Sequence, residues 1–265
     1  MTKKELLDRC ARSGEERVLL ARVLDKLELA QSRGVPAHTP FLSPGERASV
    51  TDLLNAWGRP RHLFWGGCEG AERTICAFLP DWQEAEDFLA DPEGPLAAVE
   101  GEFPKNAAPG HRDILGSLMG LGLTREKIGD ILLIGEGAQV LVLRETLPIL
   151  LSQWEKAGRY PVKLREIPLS DLTPSQGEVK KIRATVAAQR LDAVLAAGFS
   201  IPRSRAADLI RGGRVMVNHR PCEKADKTVE AGDVLTCRGL GKCVLTQVGG
   251  TSRRGRTILE LDRYI

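Results

Sequence analysis

The chain has 265 residues, enough for two or three compact units whose core needs neither disulfides nor metals. Hydrophobic residues at 42% and charged residues at 28% exclude wholesale disorder and a collagen-like repeat, and the longest aliphatic runs, Ile131-Leu132-Leu133-Ile134 and Val140-Leu141-Val142-Leu143, fall far short of the roughly 18–20 residues of a membrane-spanning helix. The formal charge of +3 hides an asymmetry: residues 182–265 carry 15 Lys and Arg against 8 Asp and Glu, net +7, while residues 1–181 carry 23 against 27, net −4, which suits a polyanion-binding end on an acidic protein or simply a well-solvated surface.

Met1-Thr2-Lys3-Lys4-Glu5 leads into charged helical sequence without an apolar signal region, so no export is expected and the protein is placed in the cytoplasm. Ser13 and Glu16 have capping-box spacing, and Leu20, Val23, Leu24 and Leu27 recur at helical intervals before Gly34, predicting a helix. Ser43-Pro44-Gly45-Glu46 repeats the start signal, with Val50, Leu53, Leu54 and Trp57 as the buried stripe and Gly58 as the stop. Residues 61–65 and 73–78 flank a glycine-rich turn and predict a hairpin. Residues 1–92 are thus expected to form an N-terminal α+β domain. Its acidic run, Glu84, Glu86, Asp87, Asp91 and Glu93, lacks the ligand alternation and turn glycine of a calcium loop and predicts a solvated helix face.

The next stretch predicts strand 96–103, helix 111–121, strands 130–135 and 139–144, helix 147–156 and strand 162–168. That order, βαββαβ, is the ferredoxin-like (RRM-like) plait, assigned here to residues 93–170. RNA-recognition versions stack bases on sheet aromatics; these strands carry almost none beyond Phe103, so aromatic-platform readout is not expected. His111-Arg112-Asp113 matches the opening of a kinase catalytic loop, but Leu118 stands where the asparagine is needed. The block either is a polar helix start with glycines for tight helix–strand packing, or brings His111, Arg112, Arg125 and Lys127 to RNA. Gly135-Glu136-Gly137 precedes a strand rather than a phosphate-binding helix and predicts a hairpin turn. Residues 171–181, with Pro174 and Gly177, are the expected linker. Six cysteines, at 10, 68, 76, 222, 237 and 243, show neither C-x-x-C nor finger spacing and read as buried reduced thiols, with no metal and no cofactor expected. The four histidines offer no oriented catalytic base.

In the last domain, 182–265, Leu191, Val194 and Leu195 share one face of a short helix and Ala206, Leu209 and Ile210 one face of the next. Arg203, Arg205, Asp208 and Arg211 are left turned outward. Strands 214–218 and 234–238 and the hairpin 244–261 supply a small sheet behind them, with Arg253, Arg254 and Arg256 on the hairpin tip. Planar guanidinium forks make paired charge-assisted hydrogen bonds to phosphate oxygens, so this module reads as a phosphate grip.

Arg190-Leu191-Asp192-Ala193-Val194-Leu195, the stretch from Arg203 to Arg211, Gly213-Arg214-Val215-Met216-Val217-Asn218, the Gly232-Asp233 turn and Arg238-Gly239 together resemble the S4 RNA-binding domain. The resemblance implies RNA-facing positions at Arg190, Arg203, Ser204, Arg205, Arg211 and Arg214, with Asn218, Lys224, Arg238 and Lys242 as further candidates. Where the family has Asn-Gly, this chain has Asn218-His219 followed by Arg220-Pro221, which implies a longer or reshaped turn. Arg190-Leu191-Asp192 also resembles the catalytic motif of pseudouridine synthases, but only 73 residues follow Asp192, too few for that fold. Asp192 is expected instead to brace its helix through local hydrogen bonds.

Upstream, residues 111–131 resemble the signature of the YlmH family, in which a two-part N-terminal region precedes an S4 domain. That resemblance implies an α+β, non-enzymatic, monomeric RNA-binding protein of the cytoplasm, with no membrane partner. It would act in ribosome-associated quality control on rRNA and tRNA at stalled large ribosomal subunits carrying peptidyl-tRNA, and be encoded near cell-division genes. Two alternatives remain open: an RNA-modifying enzyme with catalysis in residues 1–170 and the S4 domain as clamp, or an adaptor of the division machinery.

Overall fold

The computed structural model describes residues 2–107, 109–135, 137–173, 179–252 and 255–264. The chain divides into two compact units, Met1–Ser175 and Gln176–Ile265. It is α+β throughout, and among the described residues no helix is long and apolar enough to cross a membrane.

In the first unit, α1 (Lys3–Cys10) starts at a capping box between Thr2 and Glu5. Helix α2 (Gly14–Arg33) is capped by Ser13 and stopped by Gly34 at φ 63°, a left-handed position that favours glycine. After β1 (Ala37–His38), α3 (Pro44–Trp57) starts at the Ser43–Glu46 capping box. The hairpin β2 (Leu63–Trp65) and β3 (Ile75–Phe78) joins β1 in the order β1-β3-β2. Leu20, Val23, Leu24, Val50, Leu53 and Leu54 close a core between these helices and the sheet. In α4 (Ala85–Ala90), Phe88 points inward, while the acidic run from Glu84 to Glu93 is exposed as expected.

The plait follows: β4 (Leu96–Glu102), α5 (His111–Gly120), β5 (Ile128–Ile134), β6 (Gly137–Leu143), α6 (Leu147–Gln153), the short pair β7 (Lys156–Ala157) and β8 (Tyr160–Pro161), and β9 (Lys163–Ile167). The sheet order β5-β6-β4-β9, antiparallel at each pairing, is that of a ferredoxin-like fold. Strands β5 and β6 form a hairpin with Ile134 opposite Gly137; Glu136, within the expected turn, lies outside the described residues.

Each strand of this sheet feeds two cores. Val99, Val140 and Val142 pack with Ile114 and Leu118 of α5 and Leu150 of α6. Ala98, Leu132, Leu141 and Ile167 pack the other way, against Phe41, Ile75, Ala77 and Phe88. That second face is the one on which RNA-recognition domains stack bases; here the N-terminal region covers it, which accounts physically for its lack of aromatics. The same packing merges residues 1–92 and 93–170, expected as separate domains, into one unit. Arg73 pins the seam, its guanidinium donating to the carbonyls of Ile128, Phe41 and Arg125 at 3.0–3.1 Å, while Asp130 accepts from the Glu72 and Arg73 N–H groups at 2.7 and 3.1 Å.

In the second unit, β10 (Val179–Val186), α7 (Leu191–Phe199), α8 (Arg203–Arg211), β11 (Val215–Val217), β12 (Arg220–Pro221), β13 (Val234–Cys237), β14 (Gly241–Thr251) and β15 (Thr257–Tyr264) build a six-stranded sheet of order β10-β15-β14-β13-β11-β12. Both helices pack on it through Leu191, Val194, Leu195, Ala206 and Ile210. The expected linker 171–181 is shorter than its composition suggests. Leu172 is buried in the first unit, and Val179, Lys180 and Lys181 are already paired with Tyr264, Arg263 and Asp262. Residues 174–178 lie outside the described residues.

Candidate nucleic-acid interface

Helix α7 follows Arg190, its N-cap residue, and buries Asp192 in its first turn, at 6% exposure. The apolar spacing of α7 alone would bury Leu191, Val194 and Leu195; Asp192 goes inside with them because two guanidiniums meet it there. Arg203, the first residue of α8, donates from Nε and Nη2 to the carboxylate at 2.9–3.1 Å. Arg190 donates from the same two atoms at 3.3–3.4 Å. Burial pushes the Asp192 pKa up, but the hydrogen bonds and charges of Arg190 and Arg203 outweigh it and hold the carboxyl below its ordinary value. Asp192 therefore does more than the local bracing expected of it: it ties the start of α7 to a residue of the next helix. Two cations share one anion, so the group keeps excess positive charge, and both arginines stay half-exposed, at 43% and 55%.

Beside this pair, the end of β10, one face of α7 and Arg256 enclose an open depression of about 390 Å³. Val186, Ala193, Ala196 and Ala197 line it with methyl groups, while Arg190, Arg203 and Arg256 bring the charge. Arg256 is held by its Nη2 donating to the Thr185 carbonyl at 3.0 Å.

Arg214 leads into β11, whose Val215 stands opposite Cys237, and its Nη2 lies 3.7 Å from where a Cβ at Gly239 would be. Burial raises the Cys237 pKa, against the opposing charges of Arg214 and Arg205. Arg238 joins them through its backbone, its N–H donating to the Arg214 carbonyl at 2.9 Å. Arg203, Ser204 and Arg205 are all exposed in the first turn of α8. Arg211 is paired with Asp208 at 3.0 Å, with both side chains about 70% exposed at 68% and 71%, a pairing of little energetic weight.

The remaining predicted positions do other things. Asn218 and His219 both have positive φ, 50° and 63°, between the paired residues Val217 and Arg220. This is the tight two-residue turn of type I′ character, not a longer one: histidine accepts the left-handed conformation usually given to glycine. The Asn218 amide is committed inside the fold, donating to Asp233 at 2.7 Å and accepting from the Val234 N–H at 2.9 Å, so it fastens one turn to the next. Lys242 lies over the Tyr264 ring at 4.2 Å, and Lys224 is exposed in the connection between β12 and β13. Arg253 and Arg254 lie outside the described residues.

Sequence reasoning missed β10, whose Lys181 and Arg183 are exposed and stand opposite Asp262 and Glu260, and it missed that β10 supplies a wall of the depression. The alternation Ile182, Ala184, Val186 against Lys181, Arg183, Thr185 was the available signal.

In the first unit, His111 and Arg112 are exposed at the start of α5, while Arg125 and Lys127 have partners within the fold. Arg125 donates to the carbonyls of Ile128 and Gly129 at 2.6 and 3.1 Å, its pKa pulled down to about 10 by burial and by Arg73. Lys127 pairs with Glu145 at 3.1 Å. Of the glycines expected to permit close packing, Gly129 does so, a Cβ there lying 2.7 Å from Phe41; at Gly116 and Gly120 a Cβ would meet nothing within 4 Å. His111, Asp130, Arg73 and Arg125 have shifted pKa values. None of them lines the depression beside Arg144 and Glu166 or the one between α5 and residues 153–158. Three of the cysteines, Cys76, Cys237 and Cys243, are buried, while Cys10, Cys68 and Cys222 are only partly so. Among the described residues no group of His, Cys, Asp and Glu is arranged to hold a metal ion.

Residues 96–171 match the family described as a putative RNA-binding domain in YlmH, and residues 189–235 match the S4 domain. Ribosome-associated protein quality control protein P2 of Bacillus subtilis (strain 168) is 31% identical over 252 residues, covering 94% of this chain and 95% of that protein. Among solved structures, cell division protein ylmH from Streptococcus pneumoniae shows 25% identity and a TM-score of 0.47, covering 61% of this chain and 96% of that chain.

Proposed function

The chain belongs to the YlmH family, with the family's plait in the middle and an S4 domain at its C-terminal end, and from this we propose that it is a non-catalytic RNA-binding protein that works on the ribosome. Its second unit docks on structured rRNA or tRNA through phosphate and shape contacts, as double-helical RNA generally requires, because the A-form major groove is too deep and narrow for side chains to read. The observation that carries this reading is the exposed first turn of α8, where Arg203, held on the buried Asp192 yet 55% exposed, stands two residues from the exposed Arg205. The namesake activity of the Bacillus relative points to quality control as the setting, with stalled large subunits carrying peptidyl-tRNA as the particle and the cytoplasm as the compartment. The first unit positions the protein there, acting as a monomer. A non-catalytic role is supported by the use of Asp130, Arg73 and Arg125 as internal fasteners rather than as convergent groups in a cleft.

The test is charge reversal of Arg205 and Arg211 together. Both are exposed, so far-UV circular dichroism should be unchanged while co-sedimentation with large ribosomal subunits is lost. In the wild type, neutralising about five phosphates gives a log–log salt slope of roughly −3.5 to −4.5. Undiminished co-sedimentation of the double variant, or a slope near zero, overturns the proposal.

A further inference from the structure

We infer that the depression between β10, α7 and Arg256 seats one unstacked nucleotide of the bound RNA, its base on the methyl floor and its phosphate on the arginine rim. The inference rests on the proposed RNA binding and specifies what kind of RNA site is recognised: one with a bulged or looped-out nucleotide rather than an unbroken duplex.

Three observations converge. The space, about 390 Å³, falls in the range of small-molecule sites, which combine apolar walls with a few fixed polar groups. Its floor is aliphatic. Ala193, Ala196 and Ala197 fall on one face of α7 at helical spacing, and Val186 closes the side. Short side chains at these positions leave a shallow apolar seat accessible to a flat ring. Its rim is cationic and oriented. Arg190 and Arg203 both turn their Nε–Nη2 edges to the buried carboxylate of Asp192, which fixes each guanidinium plane and leaves the Nη1 end unengaged by that carboxylate. Arg256 is fastened to the Thr185 carbonyl. Three cations against one carboxylate leave an excess that a phosphodiester offsets, and fixed guanidinium planes both fork phosphate oxygens and stack on bases.

The occupant follows from the combination. A phosphate alone has no use for the methyl floor, and an aliphatic peptide has no use for three cations. A base held inside a duplex cannot reach the floor. A nucleotide turned out of the stack satisfies both halves, and unstacked bases are what proteins read in folded RNA.

The experiment uses the full chain at low salt with two synthetic RNA hairpins, one carrying a single bulged 2-aminopurine and one identical but without the bulge. The expected result is a rise in 2-aminopurine fluorescence on binding and about tenfold tighter binding of the bulged hairpin, the worth of burying about 55 Å² of apolar surface at about 25 cal/mol per Å². Ala196→Leu and, separately, Ala193→Leu fill the seat; each should erase the preference, so that the two hairpins bind equally, with an unchanged far-UV circular dichroism spectrum showing that the variant is folded. Equal affinity for the two hairpins with unchanged fluorescence overturns the nucleotide seat and leaves the proposed RNA binding standing. Failure to bind either hairpin at low salt overturns both. Displacement of the bulged hairpin by a hexaglutamate peptide at comparable concentration would assign the rim to an acidic protein segment and overturn the nucleotide.

Discussion

Replacing Asp192 with asparagine removes a carboxylate that is 6% exposed and accepts five hydrogen bonds from Arg190 and Arg203. Breaking a fully buried ion pair costs about 3–5 kcal/mol and a surface pair below about 1. Here the anion is buried while the guanidiniums are 43% and 55% exposed, so an intermediate loss of about 2 kcal/mol is expected. For a unit of this size that lowers the melting temperature by about 10 °C. The two units can be followed apart: Trp57, Trp65, Trp82 and Trp154 all belong to the first, so the fall should appear in far-UV circular dichroism and not in tryptophan fluorescence. The pH dependence has a definite sign. A carboxyl held below its ordinary value of 3.8 stabilises fully above that value and loses its contribution as pH falls through the lower folded-state value, so wild type and variant should converge in strong acid. The variant gains net positive charge, yet RNA affinity should fall because Arg190 and Arg203 lose their alignment. An unchanged melting curve, or tighter RNA binding, refutes the reasoning.

Gly198→Ala should also weaken the second unit. A Cβ there would lie 2.7 Å from the Cys243 sulfur and 3.3 Å from Leu261, a clash of about 1–3 kcal/mol that the roughly 1 kcal/mol helix preference of alanine only partly offsets; urea unfolding followed by circular dichroism measures the net loss. Cysteine labelling at pH 8 should be graded. Burial pushes the Cys76 and Cys243 thiols up to about 12 and raises Cys237 as well, so these three should resist a disulfide reagent until the chain is unfolded, while Cys10 and Cys222 react in the native protein. Rapid native labelling of Cys243 would contradict its placement behind α7.

What was legible in the sequence was local. Ser13, Gly34, Ser43 and Gly58 marked helix ends because caps act within a few residues, and the plait emerged because each strand and helix carries its own period. What escaped was non-local or two-sided. Residues 1–92 and 93–170 looked separable because no composition reveals that Leu132 and Leu141 share a core with Phe41 and Ile75. Strand β10 overlaps the expected linker because an edge strand exposing Lys180, Lys181 and Arg183 has a polar composition, and only its alternation betrays it. Asn218-His219 suggested a longer turn because the preference for glycine at positive φ is statistical, and the Asn218 bonds to Asp233 and Val234 compensate. Helical spacing turns Arg203, Arg205 and Arg211 outward on α8, where they are exposed, but that Arg203 and Arg190 share Asp192 depends on α7 and α8 meeting, which spacing along either helix does not encode.

The proposed grip of the basic second unit on ribosomal RNA can be examined in cells. Crosslinking the protein to RNA in cells and sequencing the attached fragments tests it most directly. Reads should concentrate in large-subunit rRNA and tRNA and be lost when Arg205 and Arg211 are charge-reversed; a footprint confined to messenger RNA would overturn the ribosomal assignment.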